Sequence, residues 1–129
     1  MQGAKCNKLH FALFVLHLAL HVSPIGLVNT KVSPITRPIV NQLIRCSSSV
    51  ASNYRAATRS RSDAEFFSKI CIVVEEVDET QFWLDYLARI KLLEKKETSG
   101  LFGEVEELVR LFTSIKSKMK AKLNDYREK

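Results

Sequence analysis

Four arginines fall within seventeen residues, at positions 45, 55, 59 and 61, in the stretch 42-QLIRCSSSVASNYRAATRSRSDAEF-66. A guanidinium presents a planar fork of donors that suits a phosphate or a carboxylate equally well. A second basic run, 116-KSKMKAK-122, places Lys116, Lys118, Lys120 and Lys122 on alternate residues. Together Arg45, Arg55, Arg59, Arg61 and these four lysines are the candidate nucleic-acid-binding set, suited to phosphate contacts that carry little base specificity. The other reading is structural. Arg45 and Arg55 would then pair with Glu76 or Glu79 on a neighbouring helix, with Ser49 and Asn53 completing a polar network. From residue types and spacing alone, both readings stand.

Catalytic chemistry is not signalled. A di-iron helical bundle needs inward carboxylates with Glu-x-x-His pairs, and no histidine follows His21. Glu75, Glu76, Asp78 and Glu79 therefore lack nitrogen partners and read as salt-bridging and solvated groups. His17 and His21, at i and i+4, lack a third ligand for a metal. Helical ribonucleases with an Arg-x4–6-His motif are excluded, because the first arginine is Arg37 and it comes after the last histidine. Gly-rich phosphate loops, GxSxG and Cys–His nucleophile arrangements are absent as well. The expectation is a protein with no catalytic residues, no metal site and no cofactor.

The elements that must position these cations read as helices. The chain has 129 residues, which suits one domain, and 46% hydrophobic content with only 4 Gly and 3 Pro leaves little material for turns. Ile39, Leu43, Cys46, Val50 and Tyr54 recur at helical steps, with Pro38 suited to a first turn. Ser62-Asp63-Ala64-Glu65 is a capping box. Leu101, Val105, Leu108, Phe112, Ile115, Met119 and Leu123 form a further stripe. The expected helices cover about residues 5–22, 38–59, 63–93 and 99–123, with a connection at 23–36 and an ill-ordered basic tail at 124–129. That organisation is all-α, a single antiparallel up-and-down four-helix bundle. The apolar stripe of the third helix is wide, running through Phe66, Phe67, Val73, Val74, Trp83 and Ile90, which suggests subunit contacts.

Charge follows the same division. Residues 37–61 hold five arginines and no acid, residues 63–107 hold twelve acids against five bases, and residues 110–129 hold seven bases against two acids. The net charge of +6 is compatible with nucleic acid, and the alternation also suits helix faces pairing across a bundle.

Cys6, Cys46 and Cys71 lack CxxC spacing and form an odd count, which fits a reducing cytoplasm; Cys71 reads as a small core residue. Lys5 and Lys8 before 11-FALFVLHLAL-20 imitate a signal peptide. His10, His17 and His21 nevertheless share one helical stripe, no small-x-small cleavage site follows, and the run is shorter than the ~20 apolar residues of a membrane span. A cytoplasmic first helix and no membrane association are expected.

The joint pattern of Gln42, Leu43, Arg45, Ser49, Val50, Asn53, Arg61, Ser62, Glu65 and Phe66, continued by Val74 through Leu84, resembles the bacterial 23S ribosomal RNA intervening-sequence protein family. The resemblance covers about residues 39–123. It implies a ring-like homo-oligomer of four-helix protomers, often a homopentamer, with no known enzymatic activity and an association with insertions in ribosomal RNA genes. The accessory variability protein of diversity-generating retroelements is similar to this family. Its example implies RNA, DNA or a reverse transcriptase as partners, or an assembly scaffold with no direct nucleic-acid contact. Two departures stand out: the apolar FALFVLHLALHV start with its longer connection, and 53-NYRAA-57 in place of Asn-Ile-Ala-Glu-Gly, which exchanges an acid for arginine.

Overall fold

The computed structural model describes residues 33–92 and 95–129, the side chains of 95–99 excepted. The expected helix at 5–22, most of the connection at 23–36, Cys6 and the three histidines lie outside the described residues. Within them the protein is all-helical, without strands. Three helices follow in chain order: α1 (Arg37–Ala57), α2 (Asp63–Arg89) and α3 (Lys95–Glu128).

α1 begins with Pro38 in its first turn, where the missing N–H costs nothing. It ends at Ala57, two residues before the expected end. The Thr58 hydroxyl donates to the Arg55 carbonyl at 2.7 Å, and the Thr58, Arg59 and Ser60 amides tighten the exit with bonds to Tyr54, Ala56 and Ala57.

α2 opens as the capping box requires, with the Glu65 amide donating to Ser62 Oγ at 3.1 Å. The return bond is displaced by one residue, because Glu65 Oε2 accepts from the Arg61 amide at 3.0 Å. The helix closes at Arg89, four residues short of the expected 93. Lys91 adopts a left-handed φ of 62°, its amide donates to Ala88, and the Leu92 amide reaches back to the Leu87 carbonyl at 3.0 Å. This is a Schellman cap with its apolar Leu87 and Leu92 flanking positions, formed without glycine. α3 opens at Lys95, four residues before the expected 99, so Gly100 lies inside it.

α3 runs to Glu128, so the residues expected as a frayed tail continue the helix, with Lys129 Nζ paired to Asp125 one turn back at 3.3 Å.

α1 and α3 each pack against α2. Since 57 joins 63 and 89 leads to 95 across short turns, both neighbours are antiparallel to α2. The core contains Leu43, Cys46 and Val50 of α1, Ile70, Val73, Val77, Leu84 and Leu87 of α2, and Leu101, Val105, Leu108 and Phe112 of α3. Steps of three and four residues return each of these to one face of its helix. Between α1 and α3, the rings of Tyr54 and Phe112 form an edge-to-face pair with centroids 5.4 Å apart. Cys46 is buried as a core residue, whereas Cys71 is only half-buried. Among the described residues no helix is long and apolar enough to cross a membrane.

Candidate nucleic-acid interface

The candidate cations divide by position along the bundle. Arg45 belongs to a network between α1 and α2. Its Nη2 donates to Glu79 Oε1 at 2.6 Å, Nη1 lies 3.4 Å from Glu76 Oε2, and Nε donates to Gln42 Oε1 at 3.0 Å. Trp83 Nε1 completes the set by donating to Glu79 at 3.3 Å. The Arg45 hydrogen bond, with that of Trp83, holds the Glu79 carboxyl below the usual carboxylate range. In turn the bond to Glu79 raises the Arg45 guanidinium further. The fork of Arg45 is thus already occupied by carboxylates. Beneath it Thr80, fully buried, donates from its hydroxyl to the Glu76 carbonyl at 2.7 Å and lies 3.3 Å from Cys46 Sγ. Desolvation pushes the Cys46 thiol up, so it is a packed group rather than a nucleophile.

Asn53 and Ser49 bond each other within α1, Nδ2 donating to Ser49 O and Oγ at 3.0 Å, and do not reach Glu76 or Glu79. Arg55 is exposed and makes no ion pair among the described residues. The carboxylate clamp that the sequence left open for both arginines therefore exists for Arg45 alone.

The remaining cations lie elsewhere. Fourteen residues separate Arg45 from Arg59, about 20 Å along a helix at 1.5 Å per residue. Arg59 and Arg61 occupy the α1–α2 turn, both exposed. Lys122 Nζ sits 2.8 Å from Asp63 Oδ2 at the start of α2, which raises the lysine and draws the second basic run to the same end of the molecule. At 100° per residue Lys118 shares the flank of Lys122, facing the start of α2, whereas Lys116 and Lys120 lie on the other flank of the buried α3 seam. Arg61 lies 4.0 Å from Glu65 and is 93% exposed, a loose contact that leaves its fork available. Arg59, Lys116, Lys118 and Lys120 make no ion pair among the described residues. Residues 55–69 and 114–129, brought together here, hold ten bases against four acids, a surplus of six that equals the net charge of the chain.

Sequence reasoning missed the Lys122–Asp63 pair and the Trp83–Glu79 bond. The first had no local signal, since 59 residues separate its members; the second sits at i, i+4 and was available from spacing. Among the described residues no group of three or more His, Cys, Asp or Glu side chains is placed to hold a metal ion.

Fold and site together define a class: a helical-bundle protein with a carboxylate-clamped arginine at mid-height and a concentrated basic end. The chain belongs to the 23S rRNA-intervening sequence protein family, whose pattern it matches over residues 34–114. It is similar to the crystal structure, at 1.70 Å resolution, of a protein of unknown function from the S23 ribosomal protein family of Bacteroides thetaiotaomicron VPI-5482. The TM-score is 0.73 and the identity 25%, over 84% of this chain and 96% of that one. No curated protein matches the chain.

Proposed function

We propose that this protein is a non-enzymatic cytoplasmic scaffold that assembles with copies of itself and holds RNA or DNA by the phosphate backbone at its basic end. One observation carries the reading: two basic segments more than fifty residues apart converge on the start of α2, where Arg59 and Lys118 make no ion pair among the described residues and Arg61 has only a loose 4.0 Å contact with Glu65. Lysines and arginines so placed neutralise phosphates without reading base edges. The protomer in this reading is an antiparallel up-and-down four-helix bundle. α1 and α3 both rest on α2, an arrangement that suits diagonal positions and leaves the fourth place for residues 5–22. The closed assembly expected from the family, often of five copies, belongs to the same reading.

The test is fluorescence anisotropy of the purified protein with labelled RNA and duplex DNA over a salt series. Oligomeric state is fixed by light scattering on the same sample. Binding that weakens steeply with salt supports the reading. No binding at low salt overturns it, and leaves an assembly scaffold whose partner is a protein, such as the catalytic subunit of a ribonucleoprotein or a reverse transcriptase.

A further inference from the structure

α3 outruns the helix it packs on. The Lys122–Asp63 contact at 2.8 Å sets Lys122 level with the first residue of α2, while α3 continues to Glu128, about 9 Å further at 1.5 Å per residue. The inward stripe of α3 runs on into this extension. Phe112 is buried, Ile115, Met119 and Leu123 are half-buried, and Tyr126, the next residue at the same helical phase, is 56% exposed. Cover is lost because α2 has ended, not because the stripe has turned to another face. The Tyr126 ring thus stands one helical turn, about 6 Å, past the start of α2.

The ring is set among cations. Lys122 Nζ lies 5.9 Å from its centroid, Lys118 precedes Lys122 by one turn on the same flank, and Arg61 is two residues from Asp63. Most acids of this end are engaged: Asp63 by Lys122, Glu65 by the Arg61 amide at 3.0 Å, and Asp125 by Lys129 at 3.3 Å, with Glu128 at the far tip of α3. Phosphate contacts account for the cations, yet they give no use to an exposed aromatic ring between them. A duplex presents phosphates and keeps its base faces stacked inside. A single strand presents both.

We infer that Tyr126 is a stacking platform for an unpaired base, and that the nucleic acid held at the basic end is single-stranded. An aromatic ring beside lysines and arginines is the pairing that suits such a strand: the cations follow the backbone while the ring takes a base, whichever base it is, since each has a π face. Tyrosine fits an overhanging position, because its ring can stack while its hydroxyl stays in water. Duplex reaches the cations alone. The inference rests on the polyanion reading of this end and names the form of the polyanion; ribose and deoxyribose strands share the chemistry.

The test compares the full chain with its Tyr126→Ala and Tyr126→Phe variants by anisotropy on four labelled probes: oligouridylate, oligothymidylate, a DNA duplex, and an abasic deoxyribose strand that keeps the phosphates and lacks the bases. Tyr126→Ala should weaken binding to the single strands by about 5- to 150-fold, the range for one lost base stack, and leave duplex affinity where it was. The salt slope should not move, because no cation is removed. Tyr126→Phe should keep the parent's affinity, and the abasic strand should bind parent and Tyr126→Ala alike. A loss confined to oligouridylate makes RNA the ligand and one confined to oligothymidylate makes it DNA, and either supports the inference. An equal loss on the duplex or on the abasic strand overturns it. A parent that binds with a steep salt slope while Tyr126→Ala changes nothing overturns the stacking alone, whereas a parent that binds no probe at low salt overturns the polyanion reading with it.

Discussion

The basic end yields a quantitative prediction through the salt dependence of polyanion binding. Arg59 and Lys118 make no ion pair among the described residues and Arg61 has only a loose 4.0 Å contact with Glu65, whereas Lys122 is engaged by Asp63 at 2.8 Å. If each of the first three neutralises one phosphate, log K falls with log salt at a slope of about −2.1 for single strands and about −2.7 for duplex DNA. Raising salt from about 50 to 200 mM then costs roughly 20- to 40-fold in affinity. The variant Arg59→Ala/Arg61→Ala removes two of these contacts and should make the slope shallower by about 1.4–1.8. Asp63→Asn acts in the opposite sense. It releases Lys122 without removing a cation, and should steepen the slope by up to about 0.7–0.9. Anisotropy titrations at five salt concentrations measure all three slopes, with circular dichroism confirming that the helices persist. Paired shifts of opposite sign are hard to produce by a general change in stability. A slope unchanged in both variants refutes the placement of the polyanion at this end.

Arg45→Ala, by contrast, should leave that slope unaltered and lower the thermal midpoint at neutral pH. Glu79 is held below the ordinary carboxylate range, so its contribution is present above the unfolded-state value and is lost as pH falls through the folded one. The gap in melting temperature between parent and Arg45→Ala should therefore close in acid, and equal gaps at pH 7 and pH 3 would count against the clamp. Gly103 lies inside α3 with no atom within 4 Å of an added Cβ, so Gly103→Ala should stabilise the protein by about 0.5–1 kcal/mol in a urea titration. Leu84, fully buried, should cost about 2–5 kcal/mol on replacement by alanine. Thr80→Val, equally buried, should stay within about 1 kcal/mol. The Glu76 carbonyl that loses the hydroxyl keeps its helical amide, so no acceptor is left bare.

Much of the fold was legible because burial and periodicity are local signals. Leu43, Cys46 and Val50, and then Leu101, Val105, Leu108 and Phe112, were placed on inward faces by steps of three and four alone, and all are buried. Helix ends were less legible. Gly100 is a weak helix former, yet the break falls at Lys91, where two apolar neighbours, Leu87 and Leu92, outweigh the left-handed strain on a lysine. Half-burial was harder still. Ile90 counts toward the apolar stripe like any core residue, yet it is as exposed as Tyr86, and Phe82 and Tyr86 lie outside that stripe. A pattern of hydrophobic residues states what wants to leave water, not whether its own chain supplies the cover.

The same distinction explains why the arginine-rich stretch left two readings open: the carboxylate pairing holds for Arg45, while Arg55, Arg59 and Arg61 lie clear of Glu76 and Glu79. Arg45 and Arg55 are ten residues apart, which is 1000° of helical rotation and leaves them 80° from a common direction. That offset is enough to turn Arg45 onto Glu76 and Glu79 of α2, while Arg55 falls on the stripe facing away from α2. Arg59 and Arg61, beyond the end of α1, are released from the helical phase altogether and join the α3 lysines through the Asp63 contact. A run of like residues along a helix that turns corner into loop therefore serves three surfaces in succession: an intramolecular clamp, an outward stripe and an open basic end. Guanidinium chemistry is common to all three, and phase on the helix decides that Arg45 and not Arg55 meets the α2 carboxylates.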